Sequence, residues 1–173
     1  MGQVVLLVEG ADGTGKSSIA ENVSRLSAVP VFKNSDEHRY FLTDPTYFKH
    51  AAQYVDTYLF KFLRTTGQSI ILDRAWPSEW VYSQVLGRET DPATLKWLDE
   101  YCAEMGVKIF LPYRTSYDHL EDYDIIKAKI HEIDRCYEHF QKWTKCQTLR
   151  LCTDAMDLSG DSLKVLEFMR GKC

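Results

Sequence analysis

Apolar and polar positions along this chain follow two periods that take turns. Short aliphatic and β-branched runs at 4–8, 69–72, 107–111 and 148–152 read as strands buried on both faces, with a weaker one at 30–33. Between them, apolar residues recur every three or four positions, the period of a helix with one buried face. Ile19, Val23 and Leu26 mark one stripe, and Phe48, Ala51, Val55, Leu59 and Phe62 a second. Leu95, Leu98, Cys102 and Met105 mark a third, and Ile126, Ile130, Ile133, Tyr137 and Phe140 the longest. Helices are also predicted over 77–86 and 163–170. Asp44-Pro45 and Asp91-Pro92 read as helix starts, a capping carboxylate followed by a proline where a missing N–H costs nothing.

Strands alternating with helices predict an α/β fold in three layers, a parallel sheet between helices. The 173 residues suit one core, and the absence of a repeat, linker or low-complexity tract gives a single domain over 1–173. A formal charge of −4 provides no global field for a polyanion, so nucleic acid is disfavoured as a main partner. No run reaches the roughly 18 apolar residues of a membrane span, and none is expected. The opening apolar run stops at Glu9 with no basic segment before it, the pattern of a strand and not of a signal peptide. Five cysteines without a C-x-x-C pair predict neither a disulfide framework nor structural zinc, and point to a reducing, cytoplasmic setting.

The sharpest chemical signal follows the first strand. Gly10-Ala11-Asp12-Gly13-Thr14-Gly15-Lys16-Ser17 matches the P-loop pattern G-x-x-x-x-G-K-[ST] at every fixed position. Glycines let the backbone curl so that successive N–H groups face phosphate oxygens, and the next helix adds the positive end of its dipole. Lys16 supplies a mobile charge for the β- and γ-phosphates, and the Ser17 hydroxyl a ligand for Mg²⁺. Gly10, Gly13, Thr14, Gly15, Lys16, Ser17 and Ser18 are therefore the expected ATP-binding set. A chance glycine-rich turn with an exposed lysine is the bland alternative, and the strand before and amphipathic helix after argue against it. A guanine switch is disfavoured as well: Lys33-Asn34-Ser35-Asp36 reverses the first pair of N-K-x-D, and Asp157-Leu158-Ser159-Gly160 follows the last strand instead of the third.

Glu9-Gly10-Ala11-Asp12-Gly13-Thr14-Gly15-Lys16-Ser17-Ser18 resembles the E-G-x-D-G-x-G-K-S-[TS] loop of thymidylate kinases. Asp73-Arg74-Ala75-Trp76-Pro77-Ser78-Glu79-Trp80-Val81-Tyr82 is similar to their D-R-Y-x-x-S-x-x-A-Y segment, sharing Asp73, Arg74, Ser78 and Tyr82 in register. The resemblance implies a sheet in the order 2-3-1-4-5 with a short lid at about 113–124, and ATP-dependent phosphorylation of a nucleoside or nucleotide. It further implies Asp73 at Mg²⁺, Arg74 at the acceptor or reacting phosphate, Asp12 near the acceptor sugar and metal, and Arg114 as the lid cation. Lys16, Asp12, Arg74 and Arg114 are thus the expected catalytic set. The acceptor is expected to meet Asp36, Arg39, Arg64 and Arg74 through charge, and Trp76 and Tyr82 through aromatic faces.

The chain departs from that family in lacking an arginine-bearing Pro-Gly loop after the second strand, where Asn34-Ser35-Asp36-Glu37-His38-Arg39 stands, and in carrying Ala75 for the aromatic of the second motif. A nucleoside 5′-monophosphate, as a deoxynucleotide, is the favoured acceptor because Asp73-Arg74 is the nucleotide-kinase form of that motif. A deoxynucleoside is the nearest alternative, with Asp36 as base, and a module acting on DNA 5′-ends is a more distant one. The expected partner is the small acceptor itself, with a homodimer as an open option.

Overall fold

The computed structural model describes residues 2–33, 45–118 and 124–171, without the side chains of 45–52 and 124. Five strands form one parallel sheet: β1 (Val5–Val8), β2 (Val31–Lys33), β3 (Ile70–Asp73), β4 (Lys108–Tyr113) and β5 (Gln147–Cys152), in the order β2-β3-β1-β4-β5. Among the described residues six helices connect and flank them: α1 (Lys16–Ser27), α2 (Pro45–Thr66), α3 (Trp76–Leu86), α4 (Pro92–Glu104), α5 (Asp124–Trp143) and α6 (Leu158–Met169). The strand order and the three layers are as the sequence and its family resemblance implied.

The pleat of β1 divides the core. Val5 and Leu7 point into a cluster with Phe60 and Leu63 of α2, Trp76 and Val81 of α3, Leu95 and Leu98 of α4 and Ile133, Tyr137 and Phe140 of α5. Leu6 and Val8 point the other way, against Ile19, Ala20 and Val23 of α1 and Val165, Leu166, Phe168 and Met169 of α6. Alternate residues of one strand thus hold four helices on one face and two on the other. Capping supports the outline: the Asp91 carboxylate accepts from Ala93 N at 3.0 Å and from the Thr94 hydroxyl at 2.7 Å. Asp44 lies outside the described residues.

Two stripes and one helix boundary need correction. Among the described side chains of α2, from 53 onward, the buried ones are Gln53, Asp56, Phe60 and Leu63, while Phe62 is exposed and Leu59 only partly buried; Phe48 and Ala51 lie outside them. The face is rotated by about one residue because two polar side chains occupy inward positions. Leu26 is 48% exposed, so α1 buries Ile19, Ala20 and Val23 instead. The last helix starts at Leu158 and not at 163, with Asp157 capping Gly160 N at 3.0 Å.

Because all strands are parallel, every segment that leaves a strand does so at one edge. Residues 9–15 follow β1, 74–75 follow β3, 114–118 follow β4 and 153–157 follow β5. In open α/β sheets this carboxyl edge is where ligands bind.

Candidate active site

The P-loop runs from the end of β1 into α1. Gly10 has φ 142°, and a Cβ there would lie 2.7 Å from the Pro112 carbonyl of β4, so backbone crowding alone demands glycine. Gly15 sits left-handed at φ 82° as the N-cap of α1, without a capping side chain. Lys16, Ser17 and Ser18 therefore open the helix with their N–H groups free of helical partners, the arrangement that binds anions. Thr14 braces the loop, its hydroxyl donating to Ala11 O at 2.8 Å and its carbonyl accepting from the Thr153 hydroxyl at 3.0 Å.

A cavity of about 480 Å³ opens over this loop, lined by Asp12, Gly13, Gly15, Lys16, Ser17, Ser18, Asp73 and Arg74. Lys16 Nζ donates to Ala11 O at 2.6 Å and lies 3.7 Å from an Asp12 oxygen. Burial, then the nearby Arg74 guanidinium, lower its pKa to about 8 against the pull of Asp12, Asp73 and Glu9. The Ser17 hydroxyl donates to Asp73 Oδ2 at 2.6 Å. A hydroxyl and a carboxylate oxygen beside a phosphate cradle suit Mg²⁺, which takes few protein ligands when phosphates and water complete its shell. Among the described residues no cluster of three or more His, Cys, Asp or Glu offers another metal site.

Asp12 is the hub on the acceptor side. It pairs with Arg74 Nη2, accepts from the Tyr82 hydroxyl at 2.7 Å and faces Lys16. Burial alone would raise its pKa, but Arg74 and then Lys16 hold it below the usual carboxylate value. Arg74 also donates from Nη1 to Ser78 Oγ at 3.1 Å and lies 5.3 Å from the centre of the Tyr82 ring. Its backbone is left-handed at φ 71°, a strained conformation for a residue with a Cβ, of the kind found at functional sites. Tyr82 is buried and its phenol is pushed up by burial, so it acts as a donor.

Beneath this hub sits a residue to which the sequence reading gave no role. Glu9 is fully buried, and its carboxylate accepts from Ala75 N at 2.5 Å, Ser78 Oγ at 2.7 Å and Tyr137 Oη at 3.2 Å. Burial raises its pKa to about 7 despite the Arg74 charge and those three donors. A carboxylate ending an otherwise apolar strand is its signal in the sequence; Tyr137 falls on the core stripe of α5.

A second cavity of about 260 Å³ meets the first at Gly15 and Ser18 and is lined as well by Thr14, Ile19, Arg114, Thr153, Met156, Leu158 and Asp161. Arg114 belongs to this cavity and not to the one holding Lys16, so the expectation of a cation over the reacting phosphate is not what its placement shows. Its segment is tied down where Thr115 donates to Asp154 through N at 3.0 Å and through Oγ1 at 2.5 Å, and where Arg114 N donates to the buried Tyr117 hydroxyl at 3.3 Å.

Two residues expected at the acceptor lie away from the cavity over the P-loop. Trp76 is fully buried in an aromatic cluster, its ring 5.4 Å from Phe140 and 6.2 Å from Trp143, so it has no face to offer a base. Arg64 is in the last turn of α2, exposed, paired with Glu104 at 3.5 Å and set over Tyr101 at the opposite edge of the sheet. Asp36 and Arg39, as well as 119–123 of the predicted lid, lie outside the described residues. The structure brings together Asp12, Lys16, Ser17, Asp73, Arg74 and Tyr82. No helix among the described residues is long and apolar enough to cross a membrane.

No family model matches the chain, and no curated protein matches it in sequence. Solved structures do match over nearly its whole length. YorR of Bacillus subtilis, solved with phosphorylated GDP, superposes with a TM-score of 0.67 at 16% identity, covering 98% of this chain and 99% of its own. Thymidylate kinase of Ehrlichia chaffeensis gives 0.61 at 15% identity, covering 98% and 100%. Deoxyadenosine kinase of M. mycoides, with dCMP and a flexible dCDP bound, gives 0.53 at 17%, covering 96% and 98%. With the P-loop and the 2-3-1-4-5 sheet, these likenesses show that the chain has the fold of the P-loop nucleotide and nucleoside kinases.

Proposed function

We propose that this protein is a single-domain, cytoplasmic kinase that transfers the γ-phosphoryl of ATP to a nucleoside 5′-monophosphate, a deoxynucleotide by preference. The observation that carries this reading is one cavity in which a P-loop lysine, the Ser17–Asp73 oxygen pair and the Asp12–Arg74–Tyr82 network meet. In the reaction an oxygen of the acceptor monophosphate bonds to the γ-phosphorus, the bond to the β-phosphate oxygen breaks and ADP leaves. The acceptor oxygen is already ionised near neutral pH, so this chemistry asks for positive charge and alignment and for no general base. Lys16 exchanges Ala11 O for phosphate oxygens, and the N–H groups of the loop and of the first turn of α1 hold the remaining charge. Ser17 and Asp73 would hold Mg²⁺, which when bound neutralises the β- and γ-phosphates. The cavity at Arg114, Thr153 and Met156 shares Gly15 and Ser18 with the first but is not lined by Asp73 or Arg74, and would take the nucleoside end of ATP.

A second reading, a deoxynucleoside kinase, has one observation in its favour. Of the three arginines expected at the acceptor phosphate, Arg64 is at the far edge of the sheet and Arg74 is already paired with Asp12. The deciding experiment measures kcat/KM for each base as nucleoside and as 5′-monophosphate. Monophosphates should be used far better; if nucleosides win, the acceptor assignment is overturned, and if neither is phosphorylated, the kinase reading falls.

A further inference from the structure

Glu9 occupies the junction of three elements that the reaction needs to keep in register. Its backbone ends β1 and donates to Phe110 O of β4 at 2.9 Å, and the residue after it opens the P-loop. Its carboxylate meets the first turn of α3 at Ala75 N and Ser78 Oγ, and meets α5 at Tyr137 Oη. Ser78 Oγ in turn accepts from Arg74 Nη1 at 3.1 Å. A single buried side chain thereby spans the P-loop strand, the strained turn carrying Asp73 and Arg74, and the helix behind them.

All three of its contacts are donors, and the partner that satisfies three donors at once is an acceptor-only carboxylate. Hydrogen bonds to an ionised group are also the strong ones. The left-handed backbone of Arg74 needs such over-determination, because a residue with a Cβ holds that conformation only when its surroundings enforce it.

We propose that Glu9 is a positioning residue: its carboxylate locks the Arg74–Ser78 turn and so holds the Arg74 guanidinium against Asp12, where the acceptor phosphate is to be met. The proposal rests on the kinase reading for its kinetic consequence, but not for its structural one. Protonating Glu9 gives it an O–H that must find an acceptor among Ser78 and Tyr137, which loosens the clamp. The charged and titratable groups facing it are Arg74 after β3, Lys16 at the start of α1 and Tyr137 on α5. Its raised pKa, about 7, puts that loosening at the acid side of neutrality.

The test is Glu9→Gln, which keeps the size and removes the charge, beside Ser78→Ala, which keeps the charge and removes one donor. For Glu9→Gln, kcat/KM for the acceptor should drop at least about tenfold, the fall in rate below pH 7 should flatten, and the affinity for a fluorescent ATP analogue should stay within about twofold. Ser78→Ala should lose markedly less. Hydrogen exchange supplies a readout independent of turnover: the 74–78 amides should exchange faster in Glu9→Gln while those of β4 remain protected. Unchanged exchange at 74–78 would overturn the proposal even if the protein phosphorylates nothing. In an active enzyme, wild-type acceptor kinetics in Glu9→Gln, or a loss of ATP affinity in parallel with turnover, would overturn it too.

Discussion

The two edges of the sheet handle charge in opposite ways. At the carboxyl edge Glu9, Asp12, Lys16, Asp73 and Arg74 are wholly or largely removed from water; Glu9, Arg74, Asp12 and Lys16 are linked through one network of hydrogen bonds and ion pairs, and Asp73 is bonded to Ser17 beside it. At the amino edge the ion pairs stay in water, Arg64 with Glu104 at 3.5 Å and Lys145 with Glu100 at 2.7 Å, while the buried Asp99 carboxylate beside them accepts from the Thr144 hydroxyl and from Lys145 N at 3.0 Å. Pairs of the second kind are worth little to stability, and groups of the first kind are costly to bury. Five ionisable groups are sheltered beside the P-loop, and burial displaces the pKa values of Glu9 and Lys16 toward neutrality, a cost that the proposed kinase reading explains. Substitutions at the two edges should therefore behave differently, and the contrast can be broken by measurement.

The largest effect is expected at Lys16. Lys16→Ala removes the mobile cation of the cradle and should lower kcat by at least about a hundredfold. Because this ammonium is buried beside Arg74, its loss should leave the melting temperature unchanged or raise it. Near-normal turnover in a folded Lys16→Ala protein would remove the basis of the kinase reading. Asp73→Asn comes next. It leaves Ser17 with an amide oxygen as partner and should raise the Mg²⁺ concentration for half-maximal rate by about tenfold or more. An unshifted Mg²⁺ titration would make Asp73 structural.

How much of this was legible in advance follows from distance along the chain. The P-loop was readable because its geometry is local: Gly10, Gly15 and Lys16 set the turn within a few residues. The five strands lay within two residues of their observed ends, since short β-branched runs bounded by turns announce themselves. Glu9 was opaque because its partners Ala75, Ser78 and Tyr137 are 66, 69 and 128 residues away. The face of α2 was misread for a related reason. Gln53 and Asp56 look like solvent positions until the fold turns them inward, and Gln53 then accepts from Asp91 N, 38 residues on, at 3.2 Å. Trp76 and Arg64 were assigned to the acceptor by residue type, and packing sent one into the core and the other to the far edge.

A pH series on stability sharpens the comparison further. Glu9 has an ordinary pKa of 4.5 and one of about 7 in the folded chain, so the folded state holds its proton more tightly. Its contribution to stability is therefore present in full below about pH 4.5 and is lost as pH rises to about 7, with no further change above. The shift corresponds to an upper limit on the order of 3 kcal/mol. Glu9→Gln lacks this loss, so its melting temperature relative to wild type should climb by several degrees between pH 5 and pH 8. A difference that stays flat across that range would mean that Glu9 does not change protonation there.

The smallest effect is expected at the amino edge, and its smallness is the point. Arg64→Ala removes a half-exposed guanidinium from an exposed Glu104 carboxylate and from the face of Tyr101, contacts that belong to α2 and α4 and touch no segment leaving the carboxyl end of a strand. Exposed pairs of this type contribute about 0–1 kcal/mol, and a cation over a solvent-facing ring adds about 0.5–1 kcal/mol. The variant should melt within a few degrees of wild type, with acceptor KM and kcat unchanged. A rise in acceptor KM would return Arg64 to the acceptor site and break the division between the two edges. The same assay on Arg74→Ala supplies the contrast, since that residue lines the cavity and is bonded there to Asp12 and behind it to Ser78, so its loss should raise acceptor KM strongly while ATP affinity holds. Equal behaviour of the two variants would show that burial and hydrogen bonding at the carboxyl edge are structural, and that the acceptor is recognised elsewhere.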